Sequence, residues 1–229
     1  MQMKTLIRYQ YVINVSGVRC EASGFRSKMN NLEGKVVLIT GAGKGAGRAL
    51  AVAFAGQGAI VAANDISPNN VEGLVSEIIA SGGRAKAFIE DVAKKVGAQF
   101  LVKSVQDEFG GVDILVNHAA VEPHALLLSM DEWEWHRTLD VNLTGAFLMI
   151  QSAGRMMRGK GSGVILSVVT GADERSKKDA GAYFSSKAGL VELSHQADQE
   201  LSPHGIRVYA VENSADILNE VMSILEEIK

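Results

Sequence analysis

The chain has 229 residues, enough for one domain with a large core, and its composition is that of a soluble globular protein, 47% hydrophobic and 21% charged. A formal net charge of −3 gives no reason to invoke nucleic acid or an anionic membrane, and the apolar runs are too short to span a bilayer. A single cysteine, Cys20, excludes an internal disulfide, and 24 glycines against three prolines suit an α/β protein rich in tight strand–helix turns.

Residues 1–28 stand apart. They carry Lys4, Arg8, Arg19, Arg26 and Lys28 against one acid, Glu21. Such a leader reads as an extension, disordered or loosely docked, with organelle targeting as the other possibility. The folded unit is expected over residues 29–229, in the cytoplasm.

The chain is organised around Lys35 to Ala51. Val36-Val37-Leu38-Ile39 is an apolar, β-branched run of the kind a buried parallel strand needs. Thr40 and the turn Gly41-Ala42-Gly43-Lys44-Gly45-Ala46-Gly47 follow directly, and helical spacing resumes at Arg48. Glycines let the backbone approach an anion, and a helix N-terminus offers free N–H groups and the positive end of its dipole. The next strand, Ala59 to Asn64, ends at Asp65, about where a dinucleotide fold places its ribose-binding acid. A carboxylate there accepts from ribose hydroxyls and repels a 2′-phosphate, so NAD is preferred over NADP. Lys44 argues more weakly the other way.

Strand and helix then alternate. A helix is expected over Ser67 to Ser81, with Ser67 as N-cap, Pro68 in the first turn and Val71, Leu74, Val75, Ile78 and Ile79 as its apolar stripe. The third strand is Arg84 to Glu90, with Asp91-Val92 at its carboxyl end, where an adenine ring would lie. After a helix over Val96 to Phe109, the fourth strand, Val112 to Val116, releases Asn117-His118-Ala119-Ala120. Asp131 to Gln151 reads as one long helix. Val164 to Val169, Ala182 to Leu201 and Ile206 to Val211 complete the strand–helix–strand order. The whole predicts a doubly wound parallel sheet, Rossmann-like, of about six strands with helices on both faces. Ligands of such sheets bind at the carboxyl ends of the strands.

Tyr183 and Lys187 are four apart on one helix and share a face. A Tyr hydroxyl titrates near pH ~10, and a neighbouring cation brings it towards neutrality. An isolated pair of this kind is more often a surface contact. Thr170 ends the fifth strand, where its hydroxyl could meet a substrate oxygen or simply bond the backbone. Asn142 interrupts an apolar helix and must find partners: a main-chain carbonyl, or a water in a proton relay towards Lys187. His118 lies near the expected cleft but reads as a packed or solvent-facing residue. The five histidines lack metal-ligand spacing and no nucleophile elbow occurs, so hydrolase and metal chemistry are discounted.

The ordered set Thr40-Gly-x-x-x-Gly-x-Gly47, Asp65, Asp91-Val92, Asn117-x-Ala119, Asn142, Thr170, Tyr183-x-x-x-Lys187 and His204 to Val208 resembles the short-chain dehydrogenase/reductase family, classical type, over roughly Leu32 to Val211. The resemblance implies an NAD(P)-dependent oxidoreductase that moves hydride between cofactor and an alcohol or ketone. Tyr183 would be proton donor and acceptor, Lys187 would lower its pKa and hold ribose, Thr170 would orient substrate and Asn142 would serve a proton relay. It also implies a homodimer through the helices carrying Asn142 and Tyr183, with Ala188, Val191 and Leu193 as apolar contacts unless they pack on the sheet. The chain departs from the pattern at Thr170 (for Ser), at Ala120 (for Gly, crowding the cofactor's approach) and at Ala46 (for Ile, a mild loss of packing). After Val211 a helical tail with Ile217, Val221, Ile224, Leu225 and Ile228 on one stripe replaces the usual lid and seventh strand. That ending motivates an alternative: an impaired dinucleotide-binding or interaction module.

Overall fold

The computed structural model describes residues 32–170 and 178–227. The leader 1–28, Cys20 and Ile228 lie outside the described residues. Six strands, β1 (Val36–Thr40), β2 (Ile60–Asn64), β3 (Arg84–Phe88), β4 (Ile114–Asn117), β5 (Gly163–Val169) and β6 (Ile206–Glu212), form one parallel sheet in the order β3-β2-β1-β4-β5-β6. The chain leaves β1 towards β2 on one side and returns to β4 on the other, so the switch point lies between β1 and β4. Thr40 is in register there with Asn64 on one neighbour and Asn117 on the other.

Side-chain alternation along β1 sorts the core. Val37 and Ile39 join Leu50 and Phe54 of α1 (Gly45–Gly56), and Leu74 and Ile78 of α2 (Pro68–Ala80). Val36 and Leu38 face Leu101 and Val105 of α3 (Lys95–Phe109), with Met149 and Met157 of α5 (Gly145–Lys160). Phe54, Leu38 and Met149 have no exposed surface, so truncating Phe54 to Ala would cost about 3–5 kcal/mol. The final helix, α7 (Ile217–Glu227), buries Ile217, Val221, Ile224 and Leu225 in the same cluster as Leu50 and Phe54. The tail therefore covers a face of the sheet beside α1 and β6.

Several expectations need correction. The helix expected over Asp131 to Gln151 is three pieces: α4 (Glu132–Leu139), a π-helical turn (Asp140–Thr144) and α5. Apolar spacing runs through the π turn because one inserted residue leaves the helix almost continuous. Asp131 caps α4, its carboxylate accepting from Trp133 N–H at 2.7 Å. Ser67 holds the cap position of α2, but its hydroxyl makes no capping bond. Ile79 leaves the α2 stripe and is 55% exposed, one residue past the buried Ile78. On α6 (Gly181–Leu201), Val191 and Leu193 pack partly into the interior, while Ala188 is exposed.

Candidate active site

Three side chains tie the glycine turn to the strand ends. Thr40 Oγ1 accepts the backbone N–H groups of His118 and Ala119 at 3.1 and 3.2 Å. The Asp65 carboxylate accepts Gly43 N–H on one oxygen and Ser67 N–H on the other, each at 2.9 Å. His118 bonds both Gly41 and Gly47. Gly41 has φ +65°, and a Cβ on it would lie 2.7 Å from the Cα of Ala119, so this position admits only glycine. Lys44 and Gly45 at the start of α1 are exposed, Ala46 packs partly into the core, and Gly43 and Gly47 are buried. Asp65 can still accept from ribose hydroxyls, because two N–H bonds leave further lone pairs.

The loop after β3 is set by Asn64, whose amide donates to the carbonyls of Phe88 and Glu90, each at 3.1 Å. Asp91 accepts Ala93 N–H at 3.0 Å and faces Arg137 at 3.9 Å, and Val92 is buried. Ala120 is exposed and has an ordinary negative φ, so that position does not demand glycine's conformation.

Across the cleft stands α6. Lys187 is 5% exposed, donates to the carbonyl oxygen of Val168 at 2.7 Å, and lies 5.8 Å from the centre of the Tyr183 ring. Burial brings its pKa down to about 8, against an opposing pull from Glu122. The Tyr183 ring is buried and meets Phe184 edge-on at 5.6 Å. Thr170, at the end of β5, is 4% exposed, and its hydroxyl has no partner among the described residues. The Asn117 amide is similarly unmatched and borders a cavity of about 10 Å³, together with Asn142 and Met149. A buried hydroxyl without a partner is costly, and Ser167 Oγ on β5 is in the same position among the described residues.

Asn142 sits in the π turn. Its Oδ1 accepts Val121 N–H at 2.8 Å, and its Nδ2 donates to the Val121 carbonyl at 2.9 Å and to Ser186 Oγ at 3.0 Å. Of the two roles open to it, the structure fills the first, a bond to a main-chain carbonyl. Ser186 then donates to the carbonyl of Tyr183 at 2.6 Å. Sequence reasoning missed Ser186, and it named Thr40 only as part of the glycine-turn motif, without its side-chain bonds to His118 and Ala119. A serine three places after Tyr183, at a spacing that lets it bond back along the helix, was the available signal for the first. Of the two readings of His118, packed or solvent-facing, the structure shows the first: its ring is packed into the glycine turn.

A groove of about 680 Å³ lies elsewhere. It lies by Gly110, Gly111 and Val112 before β4, lined by Val102, Arg155 and Met156. It holds neither the Gly41–Gly47 turn nor the proton-carrying side chains Tyr183 and Lys187. Among the described residues, no helix is long and apolar enough to cross a membrane, and no three His, Cys, Asp or Glu side chains group as metal ligands.

A parallel sheet whose first strand runs through a glycine turn into a helix, with a carboxylate closing the second strand, defines a nucleotide-binding α/β fold of Rossmann type. The short chain dehydrogenase family model matches residues 35–215, and the chain belongs to the short-chain dehydrogenase/reductase family. It is 37% identical over 180 residues to a D-threitol dehydrogenase of Mycolicibacterium smegmatis, covering 79% of this chain and 69% of that one. It resembles an NAD+-bound xylitol dehydrogenase with a TM-score of 0.76 and 30% identity, covering 79% and 70% of the two chains. A metagenomic short-chain oxidoreductase in complex with NADP gives a TM-score of 0.80 at 28% identity, over 87% of this chain and 93% of the other. The protein is thus an NAD(P)-dependent oxidoreductase acting on CH–OH and C=O groups, and nothing in these similarities favours a non-catalytic module.

Proposed function

We propose that the chain oxidises a small alcohol, or reduces the matching ketone, at a site made by Tyr183, Lys187, Thr170 and Asn142. The observation that carries this reading is the buried Lys187 beside the Tyr183 ring, facing a strand end whose Thr170 hydroxyl has no partner among the described residues. Below its pKa of about 8 the Lys187 ammonium stabilises a tyrosinate, so Tyr183 can accept a proton from an alcohol or return one to a carbonyl oxygen. The Thr170 hydroxyl holds the substrate oxygen in place. Asn142 acts through position: it fixes Val121 on one side and, through Ser186, the first turn of α6 on the other.

The residues fit a nicotinamide dinucleotide. Gly41, Gly43, Lys44, Gly45, Ala46 and Gly47 would take the diphosphate, Asp65 the adenosine ribose, Asp91 and Val92 the adenine, and Asn117, Ala119, Tyr183 and Lys187 the nicotinamide half. When bound, the cofactor supplies or accepts the hydride. Asp65 supports NAD over NADP, because its carboxylate would repel a 2′-phosphate. Two similar proteins are named for four- and five-carbon polyols, so such polyols are the first substrates to try. The test is NAD+ reduction followed at 340 nm over a panel of polyols and secondary alcohols. Turnover that survives Tyr183→Phe would overturn the assignment.

The same reading takes residues 29–229 as one functional unit, located in the cytoplasm. It includes a homodimer through α5 and α6, supported by Phe147, 42% exposed on α5, and by exposed Ala188. Light scattering on the purified chain should give twice the 24.4 kDa chain mass, and a monomer would contradict it.

A further inference from the structure

Proton transfer leaves His118 without a role. It follows Asn117 at the end of β4, and its ring lies between the first and last glycines of the turn. Nδ1 is 3.1 Å from the carbonyl oxygen of Gly41, and Nε2 is 3.2 Å from the backbone nitrogen of Gly47. A carbonyl only accepts and an N–H only donates. The pair of contacts therefore selects one species, the neutral imidazole with its proton on Nδ1 and its lone pair on Nε2. The fit is close: a Cβ on Gly47 would lie 2.5 Å from Nδ1. Gly47 belongs to the first turn of α1, whose free amides form the anion-binding end of the helix.

The groups that face the imidazole come from four elements. Thr40 and Gly41 end β1, Gly47 opens α1, Asp65 follows β2 and Lys187 projects from α6. Burial is the strongest influence and holds the ring below its ordinary pKa. Lys187 adds to that effect, while the Gly41 bond and Asp65 oppose it.

We propose that His118 is a positioning residue that makes dinucleotide binding depend on pH. As neutral imidazole it clamps the turn in the shape that receives the diphosphate. Protonated, it points a second N–H at the Gly47 N–H, loses that bond and loosens the amides that face the ligand. The proposal rests on the dinucleotide reading of the turn. It adds a titrating group that the carbonyl chemistry does not use. Lys187 titrates near 8, so its charge is constant in the acid window where His118 changes.

The test is calorimetric titration of the full chain with NAD+ between pH 7 and 5.5, below the titration of Lys187. Wild type should weaken severalfold on acidification, less than the roughly tenfold of one fully lost buried hydrogen bond because the ring is held below its ordinary pKa. His118→Asn, which keeps a donor and an acceptor but does not titrate, should stay within about twofold of its own value at pH 7. A flat wild-type profile, an affinity that rises in acid, or a parallel fall in His118→Asn would each overturn the proposal. Absence of NAD+ binding to wild type at pH 7 would overturn the site reading, and the proposal with it. Should His118→Asn fail to fold, long-range ¹H–¹⁵N NMR of the wild-type ring decides. The proposal requires the Nδ1–H tautomer at neutral pH and a titration midpoint below about 6.5. An Nε2–H tautomer would contradict it.

Discussion

The side-chain amide of Asn142 donates to the hydroxyl of Ser186 at 3.0 Å, so the π turn before α5 and the first turn of α6 are joined by one hydrogen bond. Ser186 passes the connection to the Tyr183 carbonyl, and the other end of Asn142 grips both main-chain groups of Val121. Asn142→Ala removes three hydrogen bonds. It should lower stability by about 2–4 kcal/mol, measured by urea unfolding, and reduce kcat more than it raises KM.

Lys187 costs the fold stability. Folded, it takes up its proton near pH 8; unfolded, near 10.5. The unfolded chain binds more protons between those values, so stability falls as pH drops from 10.5 through 8, and is level below. The penalty at neutral pH is about 3 kcal/mol. Lys187→Met should therefore raise unfolding stability at pH 7 by about 1–3 kcal/mol while abolishing turnover, a trade expected at a functional site. Denaturant melts of both proteins at pH 7 and 10 would show the gain shrinking at the higher pH.

Asp65 holds the turn, and on the proposed reading it also selects the cofactor. With Asp65→Asn one neutral amide replaces a carboxylate that accepts from Gly43 and Ser67. NAD+ affinity should fall, and the NADP+ to NAD+ affinity ratio should rise by about tenfold as repulsion of a 2′-phosphate disappears. Gly43→Ala should weaken both, since its Cβ would lie 2.8 Å from Asp65 Oδ2 and 2.7 Å from the Asn70 Cβ. Paired titrations of the two dinucleotides check all three statements.

His118 also leaves a mark on stability. Its folded pKa lies below the value near ~6.5 that it has when unfolded, so stability is full above that pH and declines as the pH falls through the folded value. Urea melts at pH 7.5 and 5.5 should show a larger loss for wild type than for His118→Asn.

Much of the fold was legible because its signals are local. The β1 run, the glycine turn and the acid ending β2 follow one another in sequence, and each strand boundary is marked by glycine or a polar residue. Helical spacing put Tyr183 and Lys187 on one face, but alone it favoured a surface contact, and their role came from the family resemblance. What was hidden depends on contacts across the chain. The π turn is invisible because apolar spacing continues from Trp135 to Ile150 across one extra residue. The grip of His118 on Gly47 joins residues 71 apart, and no periodicity announces it. The α7 stripe was plain in sequence, but its seat beside Leu50 and Phe54 came only with the folded sheet.

The central claim is that Tyr183 carries the proton in a site whose NAD affinity comes mainly from its other cofactor-binding residues. The direct measurement is NAD+ affinity and polyol-dependent NADH formation on wild type and Tyr183→Phe, side by side. The account predicts NAD+ affinity within a few-fold of wild type and turnover reduced by at least roughly a hundredfold, the scale of a lost general acid–base. Undiminished turnover in Tyr183→Phe would contradict it.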